Sequence, residues 1–483
     1  MFLNRRGAMA SVAAGLGLSL MPDVVRAQGS KVDVAALLKD LIRFNTVNAP
    51  GDTREMAAYL TTLFNSAGVP NETILAPNGK AAHFIARLKG NGTKKPVLIA
   101  AHTDVVPVER ERWSVDPFEG VEKEGFIYGR GALDNKAAVA VFAQAVLRLA
   151  KEKRKLSRDV IFLAEADEEQ GAFNTNWLAA NHWDKIDAEF CLNEGGRTFI
   201  GAQGVREMQV SCADKLTLNL KIRTSGPTGH SSRPLPVSQT ANGQLIEALA
   251  RLSTYETEII LLPQVEAYLK ASAKLNPGPY ADAVAALLNA SEPAARKAAA
   301  RRLITQKDAG WGTEGLLRNT LVISMINSGI KPNVIPGNAE AVMNARLLPG
   351  QKVGPFIEEL KAVIGNPKIE FEIVSTRPKD QQMPFFDAYA DIIPSTTDTE
   401  LYKAIERGAK TVWPQVTVMP TLLVASTDAT PWRLRGVPVY GLGPVPVDAD
   451  TASRIHGDDE RVGVEPLKQG ARFAYEILKT VSA

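Results

Sequence analysis

The chain reads as an α/β protein whose central, mostly parallel sheet is covered by helices and interrupted by a second, inserted α+β unit. Two observations predict this. From residue 34 to about 211, and again after about 386, short apolar runs alternate with stretches of helical periodicity, as in a parallel sheet with helices on both faces. Between them the apolar residues alternate singly with polar ones, as in strands with one exposed face. The expected boundaries are 28–211 and 386–483 for the two parts of the first unit and 212–385 for the inserted one.

The elements follow in order. Helical spacing runs through 34–44 and 56–67, and the apolar run 97–101 leads straight into His102 as a buried strand. Gly129-Arg-Gly131 breaks the chain before Asp134, and 137–151 is helical. Residues 160–164 form another buried strand, ending toward Glu168-Glu169, and 190–192 a third, ending at Glu194-Gly-Gly. In the second unit Leu216, Leu218, Leu220 and Ile222 alternate with polar neighbours. Residues 237–252 and 353–364 are helical, while 320–326, 341–347 and 368–374 are strand-like. A helical insertion rich in Ala, Lys and Arg occupies about 262–310. Two chain crossings, near 212 and 386, are expected to join the units and to permit hinge closure. There is no internal repeat and no low-complexity tract.

At 483 residues the chain is long for one domain and suits two, and 45% hydrophobic with 23% charged residues describes a globular protein with ample core. A net charge of +3 forms no basic stripe, which argues against nucleic acid as a partner. The start differs. Asn4-Arg5-Arg6, an apolar run from Ala8 to Met21 and then Ala27-Gln28 describe a signal segment, 1–27, cut before Gln28. An exported, periplasmic protein is expected, without stable membrane insertion after cleavage. Arg5-Arg6 points to the twin-arginine route, although its flanks match that consensus poorly. The alternative is a buried N-terminal helix. Cys191 and Cys212 read as free, buried thiols, with a disulfide between them as the alternative in an exported chain; Cys191 stands an odd offset from Glu194 and faces away from it.

Function is concentrated in a few residues. The chain has five histidines, and two of them, His102 and His456, bracket a set of carboxylates: Asp134, Glu168, Glu169 and Glu194. Several of these stand where buried strands end, the place where functional residues gather in parallel sheets. Imidazole plus carboxylate, without thiolate, suits a hydrolytic Zn²⁺ or Mn²⁺ site. Asp104, two residues after His102, is placed to accept the second imidazole N–H. Asp134 alone would read equally well as a helix N-cap, and Asp167-Glu168-Glu169 alone as a solvated acidic turn. Together with the histidines they suggest that one glutamate ligates while the other takes a proton from water. His230, in Gly229-His230-Ser231-Ser232, suits oxyanion stabilisation. His83 and His182 read as structural.

These motifs resemble one family. His102-Thr-Asp104-Val-Val-Pro, Gly129-Arg-Gly-Ala-Leu-Asp134, Asp-Glu168-Glu169, Asn-Glu194-Gly-Gly, Gly229-His230-Ser-Ser, Asn333-Val-Ile-Pro and His456-Gly-x-x-Glu460 occur in the order of the co-catalytic di-zinc metallopeptidases. That family includes aminoacylase, succinyl-diaminopimelate desuccinylase, glutamate carboxypeptidase and carboxypeptidase S. Trp113-x-x-x-Pro117-Phe118, the insertion and Gly329-x-Lys-x-Asn333 look most like the carboxypeptidase S and N-fatty-acyl-amino-acid hydrolase branch. The resemblance implies a catalytic domain with an inserted lid or dimerisation domain and two Zn²⁺, with Co²⁺ or Mn²⁺ as alternatives. Asp134 would bridge both ions, His102 and Glu194 would complete one position, and Glu169 and His456 the other. Glu168 would be the general base, and the Asp134–Asn135 peptide would be cis. Asn333 and Arg346 match a pair that helps hold the substrate carboxylate; the alternative for Arg346 is a strand residue paired with a surface acid. Asn135 departs from relatives that often carry Asp, Met or Thr. The implied activity is hydrolysis of a peptide or N-acyl amide bond next to a free carboxylate, in an enzyme able to form a homodimer. A glutamate at 194 favours acylases and carboxypeptidases. The competing readings are a dipeptidase that needs a free amine and a peptide- or amino-acid-binding protein without catalysis.

Overall fold

The protein, seen here as a computed structural model, is described over residues 32–310 and 312–483, so the expected signal segment 1–27 lies outside the described residues. Helices Val34–Arg43 and Arg54–Ser66 come first. The carboxylate of Asp33 accepts the N–H groups of Ala35 and Ala36 at 2.9 Å, satisfying donors that a helix start leaves open. Strands β1 (Asn71–Leu75), β2 (Ala82–Leu88) and β3 (Val97–His102) follow, then the short β4 (Val121–Lys123) and β5 (Phe126–Tyr128). Next come β6 (Val160–Glu165), β7 (Phe190–Asn193), β8 (Arg197–Gly201) and β9 (Gly204–Asp214). The inserted unit carries β10 (Leu216–Ser225), β11 (Gly229–His230), β12 (Thr320–Ser328), β13 (Val334–Ile335), β14 (Asn338–Leu347) and β15 (Glu370–Val374). The chain returns through β16 (Thr417–Leu423), β17 (Val439–Gly441) and β18 (Arg461–Gly463).

The main sheet runs β1-β2-β6-β3-β7-β17-β9-β16, with β8 on β9. Its centre, β6, β3, β7 and β17, is parallel, while β1 and β2 add an antiparallel edge. Along β3, Val97, Ile99 and Ala101 enter one core cluster and Leu98 and Ala100 another. This period of two with both faces apolar is what a strand covered on both sides requires. Leu37, Phe64, Phe142, Leu401 and Phe473 from five helices cover one face. Leu178, Ile186 and Trp432 cover the other. Cys191 and Cys212 are buried free thiols in different clusters.

The second sheet, β12-β14-β10-β15, is antiparallel throughout. Leu218, Leu220, Ile222, Met343 and Ala345 pack on helices Ala241–Ser253 and Val353–Ile364 through Leu245, Leu252, Phe356 and Leu360. The opposite side of the same strands carries Thr217, Asn219, Asn344 and Arg346. At the edge, β12 leaves Val322, Met325 and Ile326 exposed.

The helical insertion modifies the expected pair of crossings. Helices Pro263–Leu275, Pro279–Asn289 and Pro293–Ile304 each start on a proline, whose missing N–H costs nothing there. Their Val265, Leu269, Val284, Leu287 and Leu303 share a cluster with Ala213, Met419 and Leu422 of the main body, separate from the core of the second sheet. The chain therefore passes between the bodies near Lys215, Thr257, Arg318 and Asp391, not only near 212 and 386. Buried Lys215 ties two of these passages together, its Nζ donating to the carbonyls of Gly315 and Arg318 at 2.9 and 2.7 Å. An amphipathic helix advertises an apolar face but not the surface that the face will cover.

Candidate metal centre

The carboxyl ends of β3, β6 and β7 open at one place. His102 is the last residue of β3, Glu168 and Glu169 follow β6, and Glu194 follows β7. Asp134 arrives on the loop before helix Lys136–Glu152, and His456 on the loop before β18. Nε2 of His102 lies 2.9 Å from Oδ1 of Asp134, and Nε2 of His456 lies 3.1 Å from Oδ2 of the same carboxylate. Glu194 Oε2 is 3.5 Å from the His102 ring, and Glu169 Oε1 is 3.4 Å from the His456 ring. In His102, Asp134 and Glu194 the donor atoms all fall within 4.8 Å of one another, as they do in Asp134, Glu169 and His456. The two triads share Asp134. Glu168 belongs to neither, although it forms a third group with His102 and Glu169.

Four carboxylates at such distances repel one another, and burial increases the cost. Burial, aided by Asp134 and Asp428 and opposed by His102, pushes Glu194 up to about 7. Burial and then the charge of Glu194 raise Glu168 well above the usual carboxylate range. Asp134 and Glu169 hold the His456 imidazole up, to about 10. Burial would lower His102, but Asp134 and Glu194 outweigh it and raise it well above the ordinary value. A divalent cation in each triad would relieve this repulsion, and an all-imidazole and carboxylate donor set would fit Zn²⁺ or Mn²⁺.

The surroundings explain how the donors are held, with one correction. The second ring nitrogen of His102, Nδ1, meets the backbone carbonyl of Asp104 at 2.9 Å; the Asp104 carboxylate is 3.8 Å away. That carboxylate instead accepts the N–H groups of Glu168 and Glu169, both at 3.1 Å, and the Asn48 amide at 2.8 Å. The strand ends at His102, so the alternation that would have aligned the two side chains stops there. Asp104 thus pins the turn bearing the adjacent glutamates. The turn itself is sharp, with Asp167 at φ +67°. Asn48 donates to Asp167 as well, at 2.8 Å. Sequence reasoning missed Asn48, whose only signal was its place in the turn-like Asn48-Ala-Pro-Gly51.

Asn135, the departure from the family pattern, donates from Nδ2 to Glu194 Oε2 at 2.7 Å, and the Asp134–Asn135 peptide is cis. After Glu194 the chain needs glycine: a Cβ on Gly196 would stand 2.3 Å from the Gln209 carbonyl oxygen. His83 is structural. It is buried, its ring bonds the Phe173 carbonyl and the Ala166 N–H, and burial pushes it down to about 4.

Three sequence candidates lie apart from the triads. His230 is exposed and bonds Ser232 at 2.8 Å. It sits on the β11–β13 ribbon, where Ser231 N–H donates to the Asn333 carbonyl at 3.0 Å. The ribbon brings His230 and Asn333 together, and no hydrogen bond joins either to the histidine–carboxylate cluster. Arg346 lies on the polar face of β14, donating to Thr217 Oγ1 at 2.6 Å and Asn344 Oδ1 at 3.0 Å. Among the described residues it has no carboxylate partner, so the expected alternative of a surface acid is absent. Its like-charged neighbour Lys215 is pushed down to about 7, by burial first and then by Arg346. Thr217 reaches Ser426 of the main body at 2.9 Å. From there Asp428 accepts from Asn193, next to Glu194, at 2.6 Å.

Comparison with known proteins shows the family. The chain is 27% identical over 478 residues to the N-fatty-acyl-amino acid synthase/hydrolase PM20D1 of Bos taurus, covering 94% of this chain and 88% of that one. It is 24% identical over 454 residues to aminoacylase-1 of Sus scrofa, covering 92% and 95%. An M20 family metallo-carboxypeptidase of Sulfolobus solfataricus shares the fold, with a TM-score of 0.65 at 20% identity over 92% of this chain and 98% of that one. A profile of peptidase family M20/M25/M40 matches residues 98–480, and the chain belongs to that family.

Proposed function

We propose that the protein is a two-metal hydrolase that cuts an N-acyl amide or peptide bond next to a free carboxylate. The observation that carries this reading is Asp134, whose two oxygens face two imidazoles in two donor triads, with Glu168 left over beside them. His102 and Glu194 would hold one cation, Glu169 and His456 the other, with Asp134 between them. When bound, the pair, taken here as Zn²⁺, supplies the positive charge that polarises the scissile carbonyl and acidifies water. Glu168 accepts the proton of the attacking water and delivers it to the leaving amine. Arg346, a half-buried cation without an acid partner among the described residues, receives the substrate carboxylate, and Asn333 adds a neutral contact.

In this reading the acyl group lies in a mostly apolar groove. A groove of about 440 Å³ beside the Asp104 loop is lined by Val47, Ala49, Pro50, Pro107, Val108 and Phe118. Its two charges, Asp52 and Arg110, are already paired with Arg54 and Asp116. That lining favours an N-acyl amino acid over a dipeptide, whose free amine would need an unpaired acid. Turnover of a panel of N-acyl amino acids against unblocked dipeptides by zinc-loaded protein tests this. Preference for the dipeptides would replace the acylase reading with the dipeptidase one.

His230 completes the site from a neighbouring subunit in this reading. Its exposed ribbon and the apolar edge of β12 support a homodimer through the inserted unit. Export to the periplasm belongs to the same proposal and rests on the 1–27 segment. Recovery of Gln28 as the N-terminus of the protein from its native host would support it, and recovery of Met1 would count against it.

A further inference from the structure

His102 and His456 are oriented by different means. His102 has an acceptor for its second ring nitrogen, as ligating histidines usually do. His456 has none: among the described residues its ring's polar partners are Asp134 and Glu169, and its side chain is 51% exposed. Its backbone is nevertheless in the left-handed region, at φ +61°, where a side-chain-bearing residue stays only if its surroundings hold it.

What holds it is Arg130. This guanidinium is 2% exposed and donates to the carbonyls of His456 at 3.3 Å and Gly457 at 3.1 Å. Its other arm meets Glu460 Oε2 at 2.7 Å. Glu460, wholly buried, also gathers the loop that carries Asp134. It accepts the N–H of Gly131 at 3.0 Å on one oxygen, and those of Leu133 at 2.6 Å and Asp134 at 3.0 Å on the other. Gly131 is needed for this fold-back, being at φ +88° with Val105 Cγ1 only 2.9 Å from where a Cβ would stand. Trp113 covers the pair, its ring 5.3 Å from the Arg130 guanidinium carbon, and Ser114 N–H anchors Asp459 at 2.8 Å. This accounts for Trp113 and Glu460, two motif positions to which the reaction gives no role. His102 and Glu194, by contrast, ride on or beside strands β3 and β7.

We propose that the Arg130–Glu460 pair is the positioning device of the metal position that contains His456, and sets its affinity more strongly than that of the position on His102 and Glu194, which shares only Asp134 with it. Neither residue touches the ligand; both act through the backbones of His456 and Asp134. The proposal rests on the two-metal reading above.

Stepwise zinc titration against a competing chelator tests it, in the full protein with the fold checked by circular dichroism. Wild type should load two ions. Glu460→Gln should weaken one step by about 10–100-fold and the other, which shares only Asp134 with it, clearly less. In a His456→Ala background it should add little, because both changes act on the same position. Excess zinc should restore much of the lost kcat with KM unchanged. The double exchange R130M/E460L leaves no buried charge unpaired and carries the same expectation if Glu460→Gln loses the fold. Equal weakening of both steps, no weakening in a folded variant, or full additivity with His456→Ala would overturn the proposal. A wild type that takes fewer than two ions would instead defeat the two-metal reading itself.

Discussion

His102 and His456 approach one carboxylate from its two sides, Nε2 of the first 2.9 Å from Oδ1 of Asp134 and Nε2 of the second 3.1 Å from Oδ2. The first histidine ends a central strand and the second stands on a loop near the C-terminal helix. Only the closed fold brings them together. Among the described residues, Glu168 is the carboxylate of these donor groups that belongs to neither Asp134 triad.

Glu168→Gln should therefore keep both ions and the fold while kcat falls by about 10²–10⁴, since only proton transfer is lost. Metal analysis alongside turnover checks this. Loss of half the metal in Glu168→Gln, with Glu169→Gln retaining both ions, would exchange the two roles.

Zinc affinity should rise with pH. In the metal-free site His456 is held up to about 10 by Asp134 and Glu169, His102 is raised as well, and Glu194 lies at about 7. At neutral pH both imidazoles thus carry protons that a cation must displace, and below 7 Glu194 adds another. Acid therefore weakens binding, by about tenfold per pH unit for each proton released. Chelator competition at several pH values, with calorimetry in buffers of different ionisation enthalpy, measures this. A flat profile would mean that the donors are already deprotonated.

Much of this centre was legible because its donors lie at strand ends. The apolar runs at 97–101, 160–164 and 190–192 became β3, β6 and β7, each extended by one residue at its carboxyl end. Residues 353–364 form the expected helix. Antiparallel β1 was not read, because Asn71–Leu75 is largely exposed and lacks an apolar run, and its buried partner β2 was passed over with it. The packing of the helical insertion on β16 was hidden for a different reason: Met419 and Leu422 look like any other core residues until a partner is known. Asn48 and Arg130 act through single side chains in loops, where no periodicity marks them.

Asn48 should matter more than its position in a turn suggests. It donates to Asp104 and Asp167 at 2.8 Å each, beneath the glutamate pair. Asn48→Ala should lower metal affinity or kcat by about 10–100-fold. Asn48→Asp should be worse, because it sets a third carboxylate against two. Asp equal to or better than Ala would show that hydrogen-bond donation by Asn48 is unimportant.

His230→Ala should lower kcat far more than it raises KM, because an oxyanion donor acts on the transition state. If His230 serves the partner's site, mixing inactive His230→Ala and Glu168→Gln proteins under subunit exchange should restore activity. In each mixed dimer one site then has both groups intact. No recovery despite verified exchange would place His230 in its own subunit's site or outside the reaction.

Arg346 carries the specificity argument. It projects from the polar face of β14, held by Thr217 and Asn344 at 2.6 and 3.0 Å, with no acid to neutralise it among the described residues. A charge kept half-buried without a counter-ion is costly unless a ligand supplies one. A substrate α-carboxylate does so, through charge-assisted and planar contacts that lysine would not reproduce. Losing one member of such a pair costs about 2–5 kcal/mol, so Arg346→Ala should reduce kcat/KM by about 10²–10³. Arg346→Lys should recover only part of it. Amidating the substrate's C-terminus should cost wild type a similar factor and the Ala variant little more, because each change removes the same contact. Should wild type cut amidated and free-acid substrates equally well, Arg346 would bind something else and the free-carboxylate requirement would fall.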